Sequence, residues 1–264
     1  LLLAGSGGGE AHGGAGNDSL VGGTGASFLF GEAGNDTLRP QGSLNQLFGG
    51  TGDDSLSGGT TSAKMFGEDG NDTLQAGSGG GEAHGGAGND SLAGGSGASF
   101  LFGEAGNDTL VAQSSLNELH GGLDNDSLSG GTTSAKMFGE EGNDTLQAGS
   151  GGGEVFGGVG NDSLAGGTGA SFLFGEDGND TLLAQGNANE LHGGAGNDSL
   201  VGGNTSAKMF GEDGNDTLSS GTGGGEAFGG SGNDSLAGGL GNDALYGGDG
   251  ADTLSEIGRA SCRE

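Results

Sequence analysis

Tryptophan is missing from this 264-residue chain, proline and tyrosine occur once each, and the single cysteine, Cys262, lies two residues from the end. Apolar residues make up only 30%, too few for a conventional layered core. Basic residues are equally scarce: 6 Lys and Arg stand against 36 Asp and Glu, for a net charge of −30. That balance argues against nucleic acid as a partner, because phosphate neutralisation needs clustered Lys and Arg. No apolar run reaches the length of a membrane-spanning helix. Collagen is excluded too, since glycine does not fall at every third position and Pro40 is the only proline. What the chain does have is 72 glycines. By composition alone such a chain reads as disordered. The ordered alternative is a short repeat whose tight corners demand glycine.

The aspartates supply the repeat. The motif Gly-x-Gly-Asn-Asp-x-Leu places its last Asp at Asp18, Asp36, Asp54, Asp72, Asp90, Asp108, Asp126, Asp144, Asp162, Asp180, Asp198, Asp216 and Asp234, always 18 residues apart. It then recurs at Asp243 and Asp252, 9 residues apart. The elementary unit is therefore nine residues, as in Gly13–Val21, and two units make one coil of 18. A longer period of 72 residues overlies these: Gly-Ser-Gly-Gly-Gly-Glu starts at Gly5, Gly77 and Gly149 and returns with Thr for Ser at Gly221.

The nonapeptide Gly-Gly-x-Gly-x-Asp-x-(apolar)-x resembles the RTX (repeats-in-toxin) calcium-binding family over nearly all of residues 4–255. The resemblance implies an all-β fold, a right-handed parallel β-roll or β-solenoid of about 14 coils. In that family six residues of each unit turn, three form a short strand, and calcium sits between turns one coil apart. The chemistry agrees independently. Calcium takes six to eight oxygens at about 2.3–2.6 Å. One loop offers too few, but two loops about 4.8 Å apart can share an ion. The nearly invariant Asn at position 5 (Asn17, Asn35, Asn71; Asp53 is an exception) suits a left-handed turn, a capping bond or a side-chain ladder.

A regular RTX array carries Asp in every unit, whereas here only alternate units do. The intervening loops place Ser27, Asn45, Ala63 or Gly81 at position 6. Units one coil apart stack on the same edge, so the sequence predicts one file of calcium ions and a metal-free opposite edge. Asp18 through Asp234 plus Asp252 gives 14 stacked loops and up to about 13 sites between them. Asp243 falls on the other edge, where its predecessor at position 6 is Gly225, and is expected to form at best a weak half-site.

Position 8 is Leu in the Asp-bearing units (Leu20, Leu38, Leu56, Leu74) and Leu29, Leu47, Met65 or Ala83 in the others. Period-2 alternation turns these columns inward and positions 7 and 9 outward. Position 9 of the Asp-free units is aromatic in every coil, from His12, Phe30 and Phe48 to Phe228 and Tyr246. It takes every His and nine of the twelve Phe. Stacked rings stabilising the sheet are favoured over a docking stripe. No two His occupy adjacent coils, which argues against zinc. Lys64, Lys136 and Lys208 at position 7 are expected to pair across strands with Glu.

Residues 1–255 are thus expected to be a single roll built of 72-residue blocks. The segment 256–264 abandons the repeat, holds the only Ile as well as the only Cys, and back-translates to a common sequencing adapter; it is read as non-native. Both natural ends are expected to lie outside the sequence. Thirteen ions would bring +26 against −30, so the chain is expected to be largely disordered without calcium and to fold on binding it. The resemblance further implies type I secretion and an extracellular or cell-surface location. The near-identical blocks favour an adhesin-like spacer in a larger protein. The alternative is a folding module attached to an RTX protease, lipase or epimerase. No nucleophile–base constellation stands apart from the repeat, so no enzymatic activity or small-molecule substrate is expected of the chain itself. Position 3 of the Asp-bearing loops (Ala15, Ala33, Thr51, Asp69) forms no Thr ladder of the kind some ice-binding solenoids present.

Overall fold

The computed structural model describes residues 1–42, 45–113, 117–186 and 189–255, together with the backbone alone of 259–263. It contains strands and turns and no helix among the described residues. The chain divides into two units, Leu1–Gly131 and Thr132–Glu264. Each is a parallel β-solenoid with two sheets.

In the first unit, three-residue strands from Ser19–Val21 to Ser127–Ser129 form one sheet, which Leu2–Leu3 begins. Seven-residue strands from Gly9–Ala15 to Asn117–Leu123 form the other. The second unit repeats the scheme with short strands Thr145–Gln147 to Thr253–Ser255 and long strands Ala135–Glu141 to Asn242–Asp249. Neighbours pair parallel and in register one coil apart, as in Leu92 with Leu110 and Ala83 with Leu101. The tail 256–264 lies outside the described residues except for its backbone at Arg259–Arg263, which pairs in parallel with the preceding long strand.

The long strands depart from the expected three-plus-six division. A strand such as Ser27–Ala33 runs through position 9 and on into positions 1–3 of the next Asp-bearing loop. Its ladder does not stop at the corner: the N–H of Gly16 donates to the carbonyl of Ala33 at 2.7 Å, and that of Gly34 to Thr51 at 2.8 Å. The Asp-bearing corner therefore shrinks to positions 4–6, while the opposite corner keeps five residues, as in 22–26.

Side chains alternate as the period-2 pattern requires. Leu20, Leu38, Leu74 and Leu110 on the short strands, and Leu29, Leu47, Met65 and Leu101 on the long ones, are wholly buried. The core is chiefly these two facing columns, joined by small buried residues such as Ala63, Ala76 and Ala112. Outside, the position-9 rings stack with centroids 4.7–5.1 Å apart, in continuous runs His12 to His120 and Phe138 to Tyr246. Parallel in-register strands impose that spacing, which is close to an offset aromatic stack.

Each Lys bonds the Glu one coil further on: Lys64–Glu82 at 2.6 Å, Lys136–Glu154 at 3.1 Å and Lys208–Glu226 at 3.3 Å. Glu190, which precedes Lys208 by one coil, turns to His192 instead. Exposed pairs of this kind contribute about 0–1 kcal/mol each. The Leu columns dominate stability. Truncating Leu110 to Ala is expected to cost about 2–5 kcal/mol, read as a lower thermal midpoint at saturating calcium. Val111→Ala, one residue along and facing solvent, should change it little; equal losses at the two positions would contradict the inward assignment of position 8.

Candidate metal centre

The motif aspartates stack in one column in each unit. In the first, the backbone N–H of Asp18 donates to Oδ1 of Asp36 at 2.6 Å, and the pattern repeats from Asp36 to Asp54 and on to Asp126. In the second it runs from Asp144 to Asp252 at 2.7–3.0 Å. Each carboxylate from Asp36 to Asp126 and from Asp162 to Asp252 thus reaches back to the coil before it. The N–H it caps belongs to the corner, where no strand neighbour can satisfy it.

Position 5 reaches the other way. The N–H of Asn35 donates to Oδ1 of Asn17, and that of Asn89 to Oδ1 of Asn71. Further bonds between the side-chain amides, such as Asn107 Nδ2 to Asn89 Oδ1 at 3.2 Å, complete an exposed ladder. Asp53 joins it by accepting both the N–H and the Nδ2 of Asn71, and these bonds hold its carboxyl below the usual range. These Asn residues do not adopt the left-handed conformation considered from sequence; among non-glycine residues that conformation belongs to Glu32, Glu68, Glu104, Glu140, Glu176 and Glu212 at position 2 and Asp124 at position 4. The ladder needs only that Asn project forward by one coil.

Oδ1 is therefore spoken for, and Oδ2 is not. In Asp36, Asp54, Asp72, Asp90, Asp108, Asp162, Asp180, Asp198, Asp216 and Asp234 that oxygen is buried without a hydrogen-bond partner, and these residues are at most 3% exposed. The terminal members Asp18 and Asp252 are less covered. Beside each free oxygen sits the position-1 glycine. A Cβ at Gly31, Gly67 or Gly103 would collide with Oδ2 of its own Asp and with the carbonyl of Gly49, Gly85 or Gly121 in the next coil. Glycine is needed there for space; its φ is not positive. The carboxylate oxygen and the carbonyl of the following coil converge beside it.

This arrangement is costly without a counter-charge. Two carboxylates about 5 Å apart repel by roughly 3 kcal/mol at an effective dielectric near 20, while one N–H bond to a charged group returns about 1.5–3 kcal/mol. Burial adds to the cost. It pushes Asp54, Asp72, Asp90, Asp108, Asp162, Asp180, Asp198 and Asp216 up to about 6, with neighbouring carboxylates raising them further and the backbone bond opposing. Orphaned carboxylate oxygens, converging carbonyls and hard oxygen donors throughout fit calcium.

The chain belongs to the RTX family. The model of the RTX calcium-binding nonapeptide repeat matches residues 12–40, 44–61, 64–80, 84–152 and 156–254. Among solved structures it is similar to a hyperactive, Ca2+-dependent, beta-helical antifreeze protein from an Antarctic bacterium, at 21% identity and a TM-score of 0.48, over 91% of this chain and 80% of that one. No curated protein matches the sequence.

Sequence reasoning did not anticipate the position-2 glutamates. Glycine and glutamate alternate there coil by coil (Gly14, Glu32, Gly50, Glu68), and the Glu residues hold φ of 77–80°. Their alternation was the available signal. Histidines meet them: His12, His84 and His192 face Glu32, Glu104 and Glu212 through Nδ1 at 2.8 Å and a Glu of their own strand through Nε2 at 3.0–3.1 Å. The two glutamates beside His12 raise its pKa.

The raised aspartates set a pH dependence. Their folded-state pKa lies above the ordinary carboxylate value, so the protonated form favours the fold. That stability is present below about pH 4 and lost as pH rises through about 6. In EDTA, circular dichroism should therefore show β structure growing as pH falls from 7 to 4. With calcium present, protons and calcium stabilise the same fold, so the calcium concentration needed for folding should fall as pH falls from 7 towards 5. A calcium requirement independent of pH between 7 and 5 would contradict a buried carboxylate row.

Proposed function

We propose that this calcium-binding RTX β-roll is a structural module whose folding is driven by calcium held along the aspartate edge. The ligands are Asp18, Asp36, Asp54, Asp72, Asp90, Asp108 and Asp126 in the first unit, and Asp144, Asp162, Asp180, Asp198, Asp216, Asp234 and Asp252 in the second. Each row of seven loops offers six spaces for ions. One observation carries the reading: a column of buried Oδ2 atoms without partners, each beside a backbone carbonyl of the next coil.

Coupled folding follows from magnitude. The core is two side chains wide, and the chain is charged to −30. Each ion removes a repulsion and supplies the bond that Oδ2 lacks, so its binding free energy becomes folding free energy. Extracellular calcium, near millimolar, is the natural trigger. The module accordingly belongs to a larger secreted or surface protein, in which the 72-residue blocks act as a spacer. It exports as a flexible chain and stiffens outside the cell.

Circular dichroism and thermal melting across a calcium titration test the coupling. The expected result is a cooperative rise of β signal with calcium and a coil-like spectrum in excess EDTA at pH 7.5. The same melting temperature in EDTA and in calcium would overturn the proposal.

A further inference from the structure

The opposite edge stacks its own corners without a carboxylate row, and the side chains there show what stands in for one. Asn45 Oδ1 accepts the backbone N–H of Ser27 at 3.0 Å. Asn117 and Asn189 do the same for Ser99 and Ser171, also at 3.0 Å. This is the bond that Asp Oδ1 makes on the calcium edge, from the same loop position to the same partner one coil back. The difference is the second atom. Where Asp leaves a bare Oδ2, Asn45 Nδ2 donates to the carbonyl of Gly42 at 2.8 Å, and Asn189 Nδ2 to that of Gly186 at 2.9 Å. All three Asn residues are at most 4% exposed.

A second amide recurs with the same 72-residue spacing. Gln75 Nε2 lies 3.1 Å from the carbonyl of Ala76, 3.3 Å from Ala93 and 3.2 Å from Gly94, joining carbonyls of two successive coils. Gln147 does so for Ala148, Ala165 and Gly166 at 3.0–3.4 Å. Hydroxyls fill intermediate coils: Thr61 and Thr205 donate to the carbonyls of Gly42 and Gly186. Carbonyls converging between coils thus meet neutral N–H and O–H donors, which supply the electrophilic partner that a cation would otherwise be.

The fourth block is an internal control. Ser219 stands where Gln75 and Gln147 stand in earlier blocks. The next coil there carries Asp243, the one aspartate at position 6 of this edge. Asp243 is 5% exposed and both its carboxylate oxygens lack partners, as does the fully buried Oγ of Ser220 in the preceding loop. Where the amide is lost and a carboxylate enters, the bonding deficit of the calcium edge reappears.

We infer that the side-chain amides of Asn45, Asn117, Asn189, Gln75 and Gln147 take the place of inter-coil calcium on this edge, so that these residues decide which edge binds metal. The inference rests on the calcium-row reading and extends it to specificity. An amide satisfies the backbone N–H of one coil and a carbonyl of its own without adding charge, whereas a carboxylate at the same position requires an ion.

The test is to make that edge acidic. In Ser27→Asp/Asn45→Asp, which stacks two carboxylate loops one coil apart, bound calcium per chain, measured by equilibrium dialysis at saturating calcium, should exceed wild type by about one ion. The calcium midpoint of folding should rise about tenfold. Asn45→Ala/Asn189→Ala should be destabilised at every calcium concentration, with the wild-type ion count. The reciprocal change, Asp90→Asn, should lose bound calcium while keeping the β signal, and Asp90→Ala should keep less of it. A double Asp variant that binds no more calcium than wild type, or that stays unfolded at saturating calcium, overturns the inference. So does an Asp90→Asn chain that unfolds as readily as Asp90→Ala. The wild-type ion count reads the calcium row by itself, and the difference between Asp variant and wild type reads the amides, so failure of one is distinguishable from failure of the other.

Discussion

From Asp36 to Asp108 and from Asp162 to Asp234, each motif aspartate spends one carboxylate oxygen on the backbone N–H of the motif aspartate before it and keeps Oδ2 buried with nothing to bond. The rest of the roll depends on that division. The Oδ1 bond fixes the corner, so the short strand can leave in register with its neighbour. Oδ2 creates the demand for a cation. Glycine at position 1 keeps the space beside Oδ2 open, and the carbonyl of the next coil closes it. A side chain larger than hydrogen at Gly31 or Gly67 would strike both Oδ2 and that carbonyl and fill the cradle, which is why the glycine spacing and the aspartate spacing are the same number.

The two edges solve one problem with different chemistry. Stacked corners expose N–H and C=O groups that parallel strands cannot pair, and burial makes each unpaired group expensive. One edge answers with anions that need metal, the other with neutral amides and hydroxyls that do not. The first is switchable and the second permanent. A roll with carboxylates on both edges would carry a larger charge into its unfolded state and need more ions before any coil held. A roll with amides on both would fold without calcium and lose its trigger. Confining the charge to one side leaves the other ready to align coils as ions arrive.

Period and composition made the fold and the aspartate row legible, because both are set by local rules: an 18-residue spacing, an alternating apolar position, and a carboxylate at a fixed offset from glycine. The stacking of Phe30 on Phe48 and the pairing of Lys64 with Glu82 could be read the same way, since parallel in-register strands carry a sequence offset directly into space. What could not be read was direction. Nothing in the sequence says that Asp36 reaches back a coil while Asn17 reaches forward, or that Glu32 takes a left-handed backbone to meet His12. Nor does a loop with Asn45 at position 6 announce that its amide does the work of an ion; absence of a carboxylate suggested only absence of metal. These facts depend on which of two equivalent neighbours a side chain chooses, and coil geometry makes that choice.

The same geometry explains why the chain is copied in blocks of 72 and not of 18. On the calcium edge every coil is equivalent, and any multiple of 18 would preserve the aspartate row. The opposite edge is not so tolerant. Asn45 takes the backbone N–H of Ser27 one coil before it, Thr61 follows to reach the carbonyl of Gly42, and Gln75 meets the carbonyls of Ala93 and Gly94 one coil on. The Gly and Glu alternation at position 2 adds a period of two coils, since a Cβ at Gly50 would strike the carbonyl of Glu32. A duplication of one coil would break that alternation. One of two coils would keep it but is too short to hold these contacts, which run from Ser27 to Gly94. Four coils form the shortest segment that carries every one of these contacts intact. The 18-residue period therefore belongs to calcium, and the 72-residue period belongs to the edge without it.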